Sequence, residues 1–424
     1  MKDLLIANLA SLATNTGKKA KGGQEMRKIL EVINPYVLIK NGKIHKIGGK
    51  ELLQEIDPAE VEILDGTGKT LLPGFVDPHT HLVFGGTREE EFSMRLRGET
   101  YMAIMNKGGG IKYTVRKTRE ASHEELLRLG KKTLGAMAEM GITTVEAKSG
   151  YGLDKETEIK QLRVAKALGE LGRIEVVSTF MGAHDIPLEF AGREEAFLEF
   201  LLSEVLPVVM EENLAEFADI FTEKNVFSLL NSRIYLEKCR AFGLKLKIHA
   251  DEINDLGGAK LAAELNLTSA DHLLKANDEG LRAMRDKGVV AVLLPLTAFS
   301  LKEEYARARE MIDMGLPVAL GTDFNPGSSY SYSIPLMIAL ACLQMKMTPE
   351  EALTAVTLNG AAALDRADRI GTLEEGKDAD MVIIDAPSYR FLSYHFGMNL
   401  VETTIKGGKI VYSKRNRGES DDRI

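Results

Sequence analysis

The sequence predicts an α/β fold: a (β/α)8 TIM-type barrel with a small discontinuous β-sandwich domain built from both termini. Three observations predict it. The middle of the chain alternates short apolar runs with longer amphipathic stretches. Both ends read instead as short strands and hairpins. Polar residues, histidines above all, sit at the C-terminal tips of the apolar runs, which is where a barrel presents its working groups.

The N-terminal region opens on Met1-Lys-Asp-Leu-Leu-Ile-Ala-Asn-Leu-Ala10. Asp3 and Asn8 make this stretch too polar for an export signal or a membrane span, so it reads as a first strand. Tyr36 to Gly48 holds two alternating runs around Asn41-Gly42, a hairpin signal. Glu62-Ile-Leu-Asp-Gly66 and Thr70-Leu-Leu72 extend the sheet. Near the other end, Asp380-Met-Val-Ile-Ile-Asp385 reads as a strand, and Glu402 to Tyr412 as a hairpin turning at Gly407-Gly408. The expected division is 1–72 with 369–424 as the sandwich and 73–368 as the barrel, for which ~250 residues is typical.

Barrel strands are expected at Phe75–His81, Thr143–Ala147, Glu175–Met181, Phe217–Phe221, Leu244–His249, Ser269–His272, Val289–Leu294 and Pro317–Gly321. Helices are expected at His123–Met140, Glu156–Glu170, Glu194–Glu211, Ser228–Phe242, Leu256–Glu264 and Leu301–Met314. Residues 85–122 form an insertion after the first strand. Its Lys107-Gly-Gly-Gly-Ile111 reads as a flexible loop, since no strand precedes it and no GK[ST] follows to make a phosphate cradle.

Composition narrows the function. With 424 residues, 44% hydrophobic and a net charge of −8, the chain can build a large core and offers no nucleic-acid surface. Two cysteines, Cys239 and Cys342, make no disulfide framework and fit a reducing compartment. The expectation is a cytoplasmic protein with a small-molecule substrate, no nucleic acid and no membrane partner.

The chemistry starts at Pro73-Gly-Phe-Val-Asp-Pro-His-Thr-His81. His79 and His81 are two residues apart and, on extended backbone, share a face. Five of the eight histidines (79, 81, 184, 249 and 272) fall at predicted strand tips. The simplest metal site is His79, His81, His249 and Asp323. Three imidazoles and one carboxylate suit one zinc or iron ion per chain, with a position left for water. Strand four shows no lysine at its tip that could bridge a second metal. Glu252, three residues past His249, can move protons beside the metal or can cap its own helix start. His272 can polarise a carbonyl or simply pack at its strand end.

These residues resemble the amidohydrolase superfamily of metal-dependent hydrolases, in which the paired histidines, the strand-five and strand-six histidines and the strand-eight aspartate follow one another in this order. Gly371-Thr-Leu-Glu-Glu-Gly-Lys-Asp-Ala-Asp380 resembles that superfamily's return into its small β-domain. Six finer motifs narrow the likeness to the imidazolonepropionase family: His81-Leu-Val-Phe-Gly-Gly-Thr-Arg88, Lys107-Gly-Gly-Gly-Ile111, Glu146-Ala-Lys-Ser-Gly-Tyr-Gly-Leu153, Phe180-Met-Gly-Ala-His-Asp185, Ile248-His-Ala-Asp-Glu252 and Gly321-Thr-Asp-Phe-Asn-Pro-Gly-Ser328.

The resemblance implies hydrolysis of the ring amide of 4-imidazolone-5-propanoate to N-formimidoyl-L-glutamate, in histidine degradation. It implies the same four metal ligands. It also implies substrate contacts at Arg88, Tyr151, His184, Glu252, Asn325, Gly327 and Ser328. An arginine fork such as Arg88 matches a propionate carboxylate in two-point geometry. Asp323, Glu252 and His272 are the expected catalytic groups, and the sequence leaves open whether Asp323 or Glu252 carries the proton. His249-Ala-Asp-Glu252 also looks like a deaminase motif, so deamination of a small nitrogen heterocycle is the alternative. A homodimer is the expected assembly.

Overall fold

A computed structural model describes residues 2–57, 59–99, 103 and 108–414. Lys107 of the glycine-rich loop therefore lies outside the described residues.

Eight parallel strands form the barrel: Phe75–Asp77, Ile142–Lys148, Glu175–Ala183, Phe217–Thr222, Lys245–Leu246 continued by His249–Ala250, Ser269–His272, Val290–Leu293 and Val318–Leu320. They neighbour one another in chain order. The first and last strands meet through a parallel bridge between Thr80 and Phe324. Asp77 supports that seam by accepting hydrogen bonds from the Thr322 amide (3.0 Å) and hydroxyl (2.6 Å).

Two strands depart from expectation. The first ends at Asp77, because Pro78 has no N–H to offer the ladder. His79-Thr80-His81 continues as extended backbone, held by the amides of Asp323 and His81 across the seam. The fifth strand is split around Lys247, whose side chain turns into the barrel.

Helices follow the strands as the amphipathic pattern requires. His123–Glu139 starts at Ser122, whose hydroxyl accepts from the Glu125 amide, and Lys155–Glu170 starts at Asp154, which accepts from Thr157. Two expected helices are corrected. The span 194–211 holds Glu194–Phe200 and Leu206–Glu211 joined by a π-turn over Leu201–Val205, where Pro207 displaces the hydrogen-bond ladder. The span 301–314 is broken: one helix, Pro295–Leu301, ends at left-handed Lys302, and a second runs from Ala308 to Asp313. Among its described residues the insertion carries the helices Glu89–Leu96 and Ile111–Glu120.

Two further sheets lie outside the barrel, one built from the N-terminal region alone and one from both ends of the chain. One has four strands in the order Lys43–Gly48, Tyr36–Lys40, Asp3–Ala7, Val61–Asp65. The other has six: Lys409–Ser413, Val401–Lys406, Met381–Ile384, Thr70–Pro73, Ser11–Thr14, Leu30–Ile33. Leu4, Ile6, Val37, Leu71, Ile383 and Ile405 pack into one apolar layer between them. The chain between Thr14 and Leu30 leaves this sandwich and crosses the barrel's helices. There Asn15 bonds Thr354, the Lys21 amide bonds Asn359 and Arg27 bonds Glu351.

Candidate active site

The C-terminal ends of the strands gather the predicted histidines into one buried cluster. The rings of His79 and His81 lie 5.5 Å apart, those of His79 and His249 4.6 Å, and those of His249 and His272 5.0 Å. Asp323 Oδ1 stands 3.5 Å from His79 Nε2 and 3.7 Å from His81 Nε2. The potential ligand atoms of His79, His81 and Asp323 all lie within 4.8 Å of one another, and so do those of His79, His249 and His272. The two sets share His79.

These residues fit a metal ion. His79 Nε2, His81 Nδ1 and both ring nitrogens of His249 are buried and find no hydrogen-bond partner among the described residues. Desolvated nitrogens facing a carboxylate cost free energy unless a cation satisfies them. Burial and neighbouring positive charge drive His81 and His249 well below the usual imidazole value, so both are neutral donors. Burial and Lys148 also press on His79, but its hydrogen bond to Asp271 and the nearby Asp323 carboxylate prevail and raise it to about 9, a proton that a cation on Nε2 would displace. Burial opposes ionisation of Asp323, yet the surrounding imidazoles hold its carboxyl well below the ordinary range.

Behind the candidate ligands stand polar side chains that orient them. His79 Nδ1 donates to Asp271 Oδ2 at 2.7 Å. His249 Nδ1 lies 3.0 Å from Asp219 Oδ2. Thr297 donates to Asp323 Oδ2 at 2.6 Å, leaving Oδ1 for the imidazoles. Sequence reasoning assigned no role to Asp219 or Thr297. Asp219 carried a signal: an acid in the middle of the apolar run Phe217-Ala-Asp-Ile-Phe221 must have a partner when buried. Thr297, in a helix after strand seven, carried none.

The other predicted residues surround this cluster. Glu252 Oε1 is 3.4 Å from His272 Nδ1. Burial, with Asp323 and Glu303 nearby, raises the Glu252 carboxyl to about 8. Burial also lowers His272 to about 4, so it is neutral. His184 stacks on His81 with centroids 4.8 Å apart, and its Nδ1 faces the Gly150 carbonyl at 3.1 Å. Gly150 permits that approach: at φ +108, a Cβ there would meet His184 Cβ at 2.8 Å. Tyr151 lies 5.3 Å from His184, ring to ring.

Arg88 pairs with Glu91 at 2.8 Å, while its Nε has no partner among the described residues. Its guanidinium rests against Gly327, where any side chain would collide with it. Asn325 shapes the loop. Its side-chain oxygen accepts from the amides of Gly327 and Ser328, and its NH2 donates to the Asp323 carbonyl. Ser328 Oγ reaches Asp323 Oδ2 at 3.5 Å. A cavity of about 550 Å³ opens beside this group, lined by Arg88, Phe92, Leu296, Gly327, Ser328 and Tyr330. His272 and Asp323 both hold left-handed backbone, at φ +75 and +51, a strain that packed surroundings must sustain.

The chain matches the Amidohydrolase family over residues 70–411. It belongs to that family. Among curated relatives, the imidazolonepropionase of Clostridium tetani is 55% identical over 413 residues, covering 97% of this chain and 99% of that protein. The imidazolonepropionase of Porphyromonas gingivalis is 53% identical over 415 residues, covering 97% and 98%. Within the amidohydrolases the chain therefore falls among the imidazolonepropionases. Solved amidohydrolase-like structures share its fold at low identity. Guanine deaminase from E. coli superposes with a TM-score of 0.73 at 15% identity, covering 98% of this chain and 100% of that one. A zinc-bound adenosine deaminase from Xanthomonas campestris gives 0.73 at 18%, covering 98% and 94%. No described helix is long and apolar enough to cross a membrane.

Proposed function

We propose that this amidohydrolase opens the ring of 4-imidazolone-5-propanoate with water to give N-formimidoyl-L-glutamate, in histidine degradation. The observation that carries this reading is the identity of 55% to an imidazolonepropionase along essentially the whole of both chains. In the balanced reaction, water oxygen bonds to the ring carbonyl carbon, the ring C–N bond breaks, and the proton goes to the departing nitrogen.

His79, His81, His249 and Asp323 are the proposed holders of one zinc or iron ion per chain. A cation held there supplies Lewis acidity that makes water nucleophilic near neutral pH. Asp323 takes the proton from the attacking water and passes it to the leaving ring nitrogen. Thr297 keeps the Asp323 carboxylate turned so that one oxygen faces the imidazoles. Glu252, raised to about 8, presents its proton to a ring nitrogen of the substrate. Neutral His272 donates to the oxygen that gains charge as the carbonyl is attacked. Arg88 receives the propionate, with Tyr151 and His184 as further donors. The loop of Asn325, Gly327 and Ser328 closes that end of the site.

The same reading makes the protein a cytoplasmic homodimer with residues 1–72 and 369–424 as one domain and 73–368 as the other. Its test is direct: purified, metal-loaded protein is given imidazolone propionate, and products are followed by mass and by an ammonia assay. Formimidoyl-glutamate without ammonia supports it. Ammonia release with the ring intact refutes it and favours deaminase chemistry.

A further inference from the structure

The deepest part of the barrel interior is charged. Glu146, Lys148, Asp219, Lys247 and Asp271 are all fully buried, and the proposed reaction uses none of them. Lys148 Nζ contacts a carboxylate of each acid: Asp219 at 2.7 Å, Glu146 at 3.0 Å and Asp271 at 3.2 Å. Two of these contacts, to Asp219 and Asp271, are hydrogen bonds, while the one to Glu146 Oε2 is an ion pair without hydrogen-bond geometry.

The two aspartates take similar places, although only Asp271 hydrogen-bonds its imidazole; Asp219 stands close to the other without hydrogen-bond geometry. In Asp271 the oxygen facing Lys148 is Oδ2, which also accepts from His79 Nδ1. In Asp219 it is again Oδ2, the oxygen 3.0 Å from His249 Nδ1. The remaining oxygens are tied down separately: Asp271 Oδ1 by the Ser269 hydroxyl at 2.7 Å, and Asp219 Oδ1 by the His249 amide at 3.1 Å. Each carboxylate is therefore locked with one edge toward an imidazole. Without the ammonium, three carboxylates this close would repel one another and turn apart.

We propose that Lys148 is a positioning residue whose ammonium clamps Asp219 and Asp271 and, through them, aims His79 and His249 at the cation. It fixes the proton of His79 on Nδ1 and leaves Nε2 free to ligate, the way outer partners set metal-binding histidines. Lys247 is the internal comparison. It is equally buried but contacts Glu146 at 3.0 Å and the Pro78 carbonyl at 3.2 Å; its charge also acts on Asp271, but it is not hydrogen-bonded to either aspartate.

This proposal rests on the metal reading above, and the experiment separates the two. Zinc affinity is measured by chelator competition on the full chain for wild type, Lys148→Met, Lys148→Gln and Lys247→Met, with circular dichroism to verify folding. Lys148→Met and Lys148→Gln are expected to bind zinc at least ~10-fold more weakly than wild type, while Lys247→Met stays within about 3-fold. Nitrogen-15 NMR of the zinc-loaded proteins is expected to show a proton on His79 Nδ1 in wild type, and its signal displaced in the Lys148 variants. Equal losses at Lys148 and Lys247, or unchanged affinity at Lys148, overturn the clamp while leaving the metal reading intact. A wild-type His79 without a proton on Nδ1 overturns it whichever variants fold. Wild type that binds no zinc overturns both.

Discussion

Glu252 and His272 illustrate how one environment sets two side chains differently. Both are withdrawn from water, and burial disfavours the charged form of each. It raises the carboxyl to about 8 and lowers the imidazole to about 4. Both therefore stand neutral and able to donate. Glu252→Gln keeps shape and loses the transferable proton, so kcat is expected to fall by ~10²-fold or more with zinc content unchanged. Near-normal turnover, in a variant verified by metal analysis, would remove Glu252 from the mechanism. Thr297 acts one step further out. Thr297→Val deletes a hydrogen bond to a charged group, worth about 1.5–3 kcal/mol, and should lower kcat roughly tenfold or more. Thr297→Ser restores the hydroxyl and should recover most of that loss. Steady-state kinetics of the two variants side by side decide the point.

Among the elements, the helix Pro349–Val356 has the most elaborate start. Thr348 and Glu351 form a capping box with Pro349 at the first turn. Glu351 is itself buried and is also gripped by Arg27 at 2.8 Å and by both terminal nitrogens of Arg309, at 2.8 and 3.0 Å. One carboxylate thus starts a helix, anchors the N-terminal crossing segment and ties down the helix Ala308–Asp313. Thr348→Ala is expected to cost about 1 kcal/mol, the usual value of a lost cap. Glu351→Ala should cost about 3 kcal/mol, since it strands two arginines as well. Denaturant midpoints of the two variants should keep that order, and equal losses would mean that Glu351 acts only as a cap.

At the scale of the whole molecule, Glu175 joins barrel to sandwich. It opens the third barrel strand and meets Lys406 of the sandwich at 3.0 Å, and Arg366 and Arg369 of the returning chain at 2.8 Å each. Burial would raise its carboxyl, but these cations outweigh it and depress it from 4.5 to about 2. A carboxyl held lower in the folded state than in the unfolded one stabilises the fold above pH ~4.5. That contribution is lost as pH falls toward ~2. After allowance for solvent screening it amounts to about 2 kcal/mol. Glu175→Gln should therefore lower the thermal midpoint at pH 7. The gap to wild type should close progressively below pH ~4.5, and a gap that persists unchanged at pH 3 would refute the ion-pair account.

The barrel, the terminal sheets and the gathering of the strand-tip histidines with Asp323 were legible in the sequence, because each leaves a local trace. Apolar runs mark strands, Asn41-Gly42 and Gly407-Gly408 mark hairpins, and the two-residue step from His79 to His81 survives the early end of its strand. The helix breaks at Lys302 and around Leu201–Val205 were less legible, since they depend on how neighbouring turns compete for hydrogen bonds. What the fold adds is which strand-tip polar groups stand in the buried histidine cluster and which are spent on holding backbone amides. Asp251 serves the amides of Leu256, Gly258 and Ala259, and Glu223 those of Ile253 and Asn254. Only the structure brought Lys148, Asp219 and Asp271, from strands two, four and six, to one point. Such a cluster has no period and no spacing in the chain. Its free energy comes from charges that meet only once the barrel has closed.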